Sequence, residues 1–91
     1  EGGIMYRLWC GGSLIKIVVP QPSPDKCSER QGIAGAFGYR YWTMIVENLE
    51  GVMADCKAYG SEIITLITTI RPGVTIGIVI DPEGNLVEFV E

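Results

Sequence analysis

Histidine is absent from these 91 residues. The Ser-His and Cys-His pairs of nucleophilic catalysis, and metal ligation by imidazole, therefore cannot be built from this chain alone. Any chemistry within the chain has to use carboxylates, lysine, tyrosine or cysteine.

Cysteine is scarce and shows no motif spacing. Cys10, Cys27 and Cys56 are odd in number and lack C-x-x-C spacing, which indicates neither a disulfide framework nor a zinc knuckle. We interpret them as reduced, partly buried thiols. Cys27 lies in a polar segment beside Lys26 and Arg30 and is the thiol expected to be exposed and ionisable. No base lies near it in the sequence, so we do not expect a nucleophile.

Clustered positive charge and long apolar runs are also lacking. Seven scattered Lys and Arg against eleven Asp and Glu give a net charge of −4, which argues against a nucleic-acid surface. No apolar run approaches the roughly 20 residues that cross a bilayer, and Glu1-Gly2-Gly3 does not begin a signal peptide. We therefore expect a cytoplasmic protein without nucleic-acid or membrane partners. The hydrophobic share of 47% predicts a folded domain.

The segment from Val74 to Glu91 predicts a β-hairpin. Apolar residues alternate on both sides of Asp81-Pro82-Glu83-Gly84, whose residue types suit a type I turn. Glu88 lies on the same strand face as Leu86 and Val90. A carboxylate between two apolar residues occupies either a wet sheet edge or a cleft in which something pairs with it.

Two segments precede the middle of the chain. Ile4 to Val19 predicts a hairpin with Gly11-Gly12 as its turn. We expect its second strand to end at Pro20, because proline cannot donate a hydrogen bond to a ladder. Residues 21–38 form a connector rich in proline, glycine and charge, which either links the two parts or acts as a mobile functional loop.

Residues 39–91 predict the order strand, helix, strand, strand, strand. Tyr39 to Val46 suits the first strand, and residues 61–70 suit the second. Asn48 suits the N-cap of the helix between them, and Gly60 suits the residue after its last turn. The core between this helix and the sheet is predicted from Trp42, Met44, Leu49, Val52, Met53 and Cys56.

This order and several short sequences resemble the vicinal oxygen chelate superfamily, the group of glyoxalases, bleomycin-resistance proteins and ring-cleaving dioxygenases. The resemblance lies in GYRYWTMIVENLE from Gly38, AYG from Ala58, RPGV from Arg71 and DPEGNLVEF from Asp81. It implies an α+β fold: a βαβββ module of glyoxalase/bleomycin-resistance type plus the terminal hairpin of a second module, with a curled mixed sheet and the helix on its outer face.

The resemblance also implies a division of the chain. Residues 1–20 would be the terminal hairpin of a first, incomplete module, residues 21–38 the connector and residues 39–91 the complete module. The first strand, helix and second strand of module one have no counterpart here, and the sequence does not begin with Met. We therefore expect either a piece of a longer chain or a cup that a partner chain completes.

The two predicted hairpins also match each other in sequence. Residues 13–18, SLIKIV, match residues 85–90, NLVEFV, so that Lys16 takes the place of Glu88. The match is either a true repeat or a chance likeness between alternating strands. If it is a repeat, the pseudo-two-fold of the resembled family brings Lys16 and Glu88 toward each other at the floor of a cleft.

Metal ligands in the resembled family come from the first and last strands of each module. Here the resemblance places Tyr41 and Glu88 at such positions, with Lys16 equivalent to Glu88. Tyr41 is a poor ligand at neutral pH because its phenol has a pKa of about 10, and the Lys16 cation has no lone pair to offer. Glu88 is then the candidate metal ligand. We favour a Lys16–Glu88 ion pair in the metal's place over a retained divalent metal.

The predicted ligand-binding residues are therefore Tyr41, Thr43, Glu88 and Lys16, and an ordinary sheet face is the alternative for Tyr41 and Thr43. No catalytic residue is predicted. The function expected from the resemblance is a glyoxalase/bleomycin-resistance-like protein that binds a small, partly apolar molecule in the sheet cleft, without cofactor or family-type metal. One alternative is a metal-dependent glyoxalase-like lyase or isomerase, or a dioxygenase, with Glu88 as ligand. Another is a non-catalytic dimeric or truncated remnant. A homodimer is expected to complete the cup.

Overall fold

The computed structural model describes residues 2–26 and 32–91, where six strands and one helix form two sheets. β1 (Gly2–Cys10) and β2 (Ser13–Gln21) make an antiparallel hairpin. The elements that follow are β3 (Tyr41–Ile45), α1 (Leu49–Ala58), β4 (Glu62–Arg71), β5 (Val74–Ile80) and β6 (Leu86–Val90). The predicted α+β class and the order of a βαβββ module are confirmed. The division into modules at residues 20 and 38 stays a prediction.

The second sheet is mixed and has the strand order β3-β6-β5-β4. β3 runs parallel to β6, whereas β6 with β5 and β5 with β4 are antiparallel. The parallel pair requires a crossover between β3 and the later strands, and α1 lies in that connection. As a result, the first and last strands of the module are neighbours, and their side chains meet.

The turn of the closing hairpin is organised by Asp81. The Gly84 backbone N–H donates to the Asp81 carbonyl at 3.0 Å, and Gly84 has a φ of 91°. The Asp81 carboxylate accepts from the backbone N–H groups of Glu83 at 2.9 Å and Asn85 at 2.8 Å, and its second oxygen accepts from the Asn85 side-chain amide at 3.0 Å. The side chain of Asp81 therefore fixes both Glu83 and Asn85, which sets the register of β5 against β6.

Replacing Asp81 with alanine is expected to lower the free energy of unfolding by about 1 to 2 kcal/mol, because backbone donors at the turn lose a charged acceptor. Urea unfolding followed by circular dichroism measures this. Glu83→Ala is the matched control, since it removes an exposed carboxylate from the same turn and should change stability by less than about 0.5 kcal/mol. Equal effects of the two substitutions would contradict this role of Asp81.

Both ends of α1 are capped. The Gly51 backbone N–H donates to Asn48 Oδ1 at 3.1 Å, and the Leu49 N–H donates to Glu91 Oε1 at 3.0 Å. At the other end, Ser61 N–H donates to the Cys56 carbonyl at 2.9 Å, with Gly60 at a φ of 90°, which is a Schellman arrangement. The predicted Asn48 and Gly60 caps are confirmed, and Glu91 adds a carboxylate at the positive end of the helix.

The core lies between α1 and one face of the four-stranded sheet. Its buried members are Leu49, Met53, Val79, Val87 and Phe89, with Met44, Val46, Val52, Cys56 and Ile63 packed against them. A Cβ on Gly77 would collide with the Met53 side chain, so the glycine allows the helix to approach β5. The prediction that Trp42 is core is wrong. It is 38% exposed, because α1 packs on β4 and β5 whereas β3 is the opposite edge strand.

Several predicted boundaries differ from the structure. β2 continues through Pro20 to Gln21 instead of ending at Pro20, since a strand with an open edge tolerates a missing N–H. β3 covers residues 41–45 rather than 39–46, and β4 covers 62–71 rather than 61–70. The prediction for Cys27 lies outside the described residues. In the part of the chain that is described, no helix is long and apolar enough to cross a membrane.

Candidate functional site

The pairing of β3 with β6 brings two of the predicted site residues into contact. Thr43 lies directly beside Glu88 in the parallel register, and its hydroxyl donates a hydrogen bond of 2.8 Å to Glu88 Oε1. Glu88 in turn faces Ile78 on β5, which faces Thr65 on β4. One row across the sheet therefore presents a hydroxyl, a carboxylate, an isoleucine and a second hydroxyl.

This row lies on the sheet face that α1 does not cover. Side chains alternate between the two faces of a strand, and Val79, Val87 and Phe89 of the neighbouring positions pack against the helix. Ile76 and Ile78 on the helix-free face are nevertheless 8% and 7% exposed. The register of β4 against β5 shifts at three places, and irregularities of this kind bend a strand. The register shifts in β4 are therefore the feature of this sheet that favours the expected curl.

Glu88 is half-buried at the middle of this face. Leu86 and Val90 flank it along β6, and Ile78 lies opposite it on β5. An ionised carboxylate among apolar side chains needs donors to replace lost water, and Thr43 supplies one donor to one oxygen. Within residues 2–26 and 32–91, the hydrogen bond from Thr43 is the one side-chain hydrogen bond to this carboxylate.

Tyr41 extends the same face by one position. It lies beside Leu86, two residues from Thr43 on β3, and is 47% exposed. A phenol at the rim of an apolar patch offers both a ring surface and a hydroxyl to a bound molecule. The structure therefore groups Tyr41, Thr43 and Glu88 on one sheet face. Alternation within the strand predicted only that Tyr41 and Thr43 share a face.

Lys16 lies in the other sheet, in β2, directly opposite Arg7 on β1. The two cations occupy one face of the hairpin, and like charges in cross-strand pairs repel each other. An anionic partner would relieve that repulsion. The Lys16–Glu88 ion pair stays a prediction. Arg7 was not among the predicted site residues, although the predicted Gly11-Gly12 turn already pairs it with Lys16.

A contact between two sulfur atoms shows which face of the hairpin lies on the same side as which face of the larger sheet. The Cys10 thiol of β1 lies 3.2 Å from the Met44 thioether of β3. Met44 belongs to the helix-covered face of the larger sheet, and Cys10 lies on the hairpin face opposite to Arg7 and Lys16. The hairpin face that carries Lys16 therefore lies on the same side as the sheet face that carries Glu88.

A cavity of about 220 Å³ lies away from this group of residues. Its lining comes from the end of α1 and from the closing turn: Tyr59, Gly60, Ser61, Glu62, Ile80, Asp81 and Pro82. The Asp81 carboxylate at its wall is already used by three donors of the turn. The cavity is therefore a competing location for a ligand, and Tyr59, Ser61 and Glu62 give it polar side chains of its own.

The donor atoms around Glu88 do not fit a metal site of the resembled family. Within the described part of the chain there is no group of three or more His, Cys, Asp or Glu residues that could hold a metal ion. The neighbours of Glu88 are a neutral hydroxyl and an isoleucine. Structural and catalytic zinc sites use at least three protein ligands, so the described residues around Glu88 provide too few for a site of that kind.

Two of the three thiols can be located. Cys10 and Cys56 are both free and partly buried, as predicted. Burial, with a smaller contribution from the neighbouring Asp55 carboxylate, raises the pKa of the Cys56 thiol above its ordinary value of 9.0. Both causes disfavour the thiolate, so Cys56 is less reactive than an ordinary cysteine.

We expect iodoacetamide to alkylate Cys56 more slowly in the folded protein than in urea at the same mildly alkaline pH. The raised pKa also makes the stability of the fold depend on pH. The stability that the neutral Cys56 thiol contributes is fully present below pH 9.0 and is lost as the pH rises through the raised pKa of the folded state. Mass spectrometry of tryptic peptides gives the rate at each pH. Equal rates in the folded and urea-unfolded protein would contradict the shift.

The chain was compared with known proteins by sequence and by structure. No protein-family model matches the sequence, and no curated protein sequence matches it. Solved structures do. The structure of the glyoxalase family protein from Enterococcus faecalis has a TM-score of 0.69 and 26% identity, over 98% of this chain and 68% of that one.

Two further structures agree with the first. SMU.1112c has a TM-score of 0.68 with 22% identity, over 96% of this chain and 68% of that one. TioX from Micromonospora sp. ML1 has a TM-score of 0.65 with 20% identity, over 94% of this chain and 64% of that one. The chain has a glyoxalase-like α+β fold. The resemblance to the vicinal oxygen chelate superfamily is confirmed.

Proposed function

We propose that this chain binds a small, partly apolar molecule on the helix-free face of the four-stranded sheet, without a family-type metal. The observation that supports this is the hydrogen bond from Thr43 to Glu88 in the middle of an apolar, curled sheet face. Small-molecule sites in proteins combine apolar walls with a few placed polar groups. Glu88 would accept a hydrogen bond or pair with a cation, and Tyr41 would cover the apolar part of the ligand.

Lys16 is proposed as the fourth binding residue. In the absence of ligand, its ammonium would pair with Glu88 in the place that a metal takes in metal-dependent relatives. Support comes from the internal match between the two hairpins and from the corresponding faces of the two sheets. A double-mutant cycle of Lys16→Met and Glu88→Gln, based on the free energy of unfolding of each variant, measures the interaction energy between the two side chains. A coupling of at least about 0.5 kcal/mol supports the pair, whereas additive effects contradict it.

A homodimer is proposed to close the binding face. Tyr41 and Ile45 of the edge strand β3 are 47% and 84% exposed, and an edge strand with apolar side chains favours association. Sedimentation equilibrium over a range of protein concentrations tests the dimer, and Ile45→Lys should weaken it. A protein that stays monomeric at the highest concentration would rule this part out without affecting the binding proposal.

The alternative function is a metal-dependent glyoxalase-like lyase or isomerase with Glu88 as a ligand. The similarity to the glyoxalase family protein from Enterococcus faecalis favours it. The donor set around Glu88 argues against it. Isothermal titration with manganese, nickel and zinc separates the two functions. Stoichiometric metal binding that is abolished by Glu88→Gln supports the alternative. The absence of metal binding, or metal binding that Glu88→Gln leaves unchanged, supports the metal-free proposal.

The metal-free proposal itself is tested by a thermal-shift screen of small organic molecules. A ligand present at about 100 times its Kd stabilises the folded state by about 2.7 kcal/mol. A binder should raise the melting temperature of the wild type but not that of Glu88→Gln. A screen in which every stabilising compound acts equally on both proteins would refute the proposed site. A screen without any stabilising compound would favour the non-catalytic remnant.

A further inference from the structure

Strand β4 forms a long edge of the four-stranded sheet. It pairs with β5 on one side, and among the residues that the structure describes no strand pairs with its other side. Four apolar side chains of this strand are between 41% and 74% exposed: Ile64, Leu66, Ile67 and Ile70. The charges of β4 are those of Glu62 and Arg71, at its two ends. No charge within the strand therefore blocks pairing with another strand.

Four side chains of β4 form an evenly spaced row on the helix-free face of the sheet. The register of β4 against β5 contains the pairs Glu62–Ile80, Thr65–Ile78, Thr68–Ile76 and Arg71–Val74. Directly opposed residues share a face, and these β5 residues follow one another two positions apart on the helix-free face. Each interval of three residues in β4 thus covers two residues of β5, because each interval contains a register shift.

This row is complementary to itself. A second copy of β4 can lie antiparallel beside the first, with a two-fold axis perpendicular to the sheet and level with the Leu66–Ile67 peptide bond. In this register, Arg71 of the second copy lies beside Glu62, and Thr68 of the second copy lies beside Thr65. All four side chains lie on the helix-free face, as opposed residues of a ladder must. Opposite charges and two threonines are both favourable cross-strand pairs.

The register shifts of β4 favour a second copy over an unrelated strand. Shifts of this kind bend and twist an edge strand, which makes it a poor template for a straight partner. In the two-fold register, the shift between Thr65 and Thr68 lies on the axis. The interval from Glu62 to Thr65 then faces the interval from Thr68 to Arg71, and each of them contains one shift. Two copies therefore have their irregularities in intervals that face each other.

We propose that β4 pairs antiparallel with β4 of a second copy of this chain and joins the two four-stranded sheets into one. Backbone hydrogen bonds between the two edges hold the contact, and a Glu62–Arg71 ion pair at each end fixes its register. The contact is isologous, so it closes after two copies. It differs from the dimer proposed at β3, because β3 and β4 are opposite edges of the sheet.

Charge reversal at the ends of β4 tests this register. Sedimentation equilibrium gives the Kd of self-association, and Ile45→Lys protein is the background because its β3 contact is weakened. We expect a Kd between about 1 µM and 1 mM. Glu62→Arg should weaken association at least about tenfold, because attractive pairs at both ends become repulsive. The control Glu83→Arg makes the same change in charge on an exposed residue outside β4 and should leave the Kd unchanged.

A mixing experiment separates the register from a general effect of charge. Arg71→Glu alone should weaken association as Glu62→Arg does, and it repeats the test in case Glu62→Arg does not fold. A mixture of the two variants should form a heterodimer, because each end then pairs an arginine with a glutamate. The chain that carries both substitutions should associate as tightly as the background protein. Native mass spectrometry identifies the heterodimer, and circular dichroism shows which variants are folded.

Three results would overturn the proposal. They are a background protein that stays monomeric at about 1 mM, equal Kd values for Glu62→Arg and Glu83→Arg, and a mixture of folded variants that gives no heterodimer. None of them depends on whether a small molecule binds at Glu88. The dimer adds to stability by mass action, so unfolding measured well below its Kd reports on the monomer, in which Leu66 is exposed.

Discussion

Replacing Leu49 by alanine is expected to lower the free energy of unfolding by about 3 kcal/mol, within the usual range of about 2 to 5 kcal/mol for a buried leucine. Leu49 is the most deeply buried large side chain, at 1% exposure, and it begins the helix that covers the sheet. Its removal leaves a cavity beside Phe89 and Val87. In a domain of this size the melting temperature should fall by about 10 to 20 °C.

The matched control is Leu66→Ala, because Leu66 is also a leucine but is 74% exposed on β4. Its effect should stay within about 0.5 kcal/mol. Differential scanning calorimetry of the wild type and both variants gives the comparison. A loss of less than about 1 kcal/mol in Leu49→Ala, or similar losses in both variants, would contradict the assignment of the core to the α1 face of the sheet.

Replacing Glu88 by glutamine is expected to weaken the binding of a ligand found in the thermal-shift screen at least about tenfold, because hydrogen bonds to a charged group contribute about 1.5 to 3 kcal/mol. The glutamine keeps the size of the side chain and can still accept from the Thr43 hydroxyl, which lies 2.8 Å from Glu88 Oε1. The fold should therefore be retained while the charge is lost. Isothermal titration measures the Kd of both proteins.

Two further variants distinguish the effect of the Glu88 charge from the effect of the Thr43 hydrogen bond that orients it. Thr43→Val removes the hydrogen bond to Glu88 at nearly constant volume and should weaken binding less than Glu88→Gln does. Glu83→Gln removes an exposed carboxylate from the turn of the same hairpin and should have no effect on binding. Equal affinities of Glu88→Gln and the wild type would show that the ligand binds elsewhere, for example in the cavity beside Tyr59 and Pro82.

Much of the fold could be predicted because its signals are local. Alternation, the Asp81 turn and the Asn48 and Gly60 caps act over a few residues, and each is confirmed. The mixed sheet order is not local. The parallel neighbours β3 and β6 are joined by long connections. The resemblance to a family predicted a mixed sheet, but the strand order within it was not predicted.

The errors arise where tertiary position decides. Trp42 has the pattern of a core residue, but its strand lies at the sheet edge away from α1, which leaves it 38% exposed. Gly51 has a lower intrinsic helix propensity than alanine. The structure shows that a Cβ there would collide with the capping Asn48 side chain. Glu91 was not predicted as a helix cap, because its contact with Leu49 joins residues far apart in sequence.

The candidate site was predictable in part. Alternation placed Tyr41 and Thr43 on one strand face and Glu88 between apolar neighbours, and the β3–β6 register brings Thr43 and Glu88 together. The position of Lys16 opposite Arg7 depends on the hairpin register. Whether Lys16 reaches Glu88 depends on how a second sheet is arranged, which no pattern within a single strand specifies.

Binding at Glu88 and Thr43 on the helix-free sheet face is tested by amide NMR spectra of the labelled protein, recorded with a library of small aromatic and polar molecules. We expect the strongest binders to shift the amide signals of Tyr41, Thr43 and Glu88 together. Shifts that cluster instead at Tyr59 and Pro82, or none at all across the library, would contradict it.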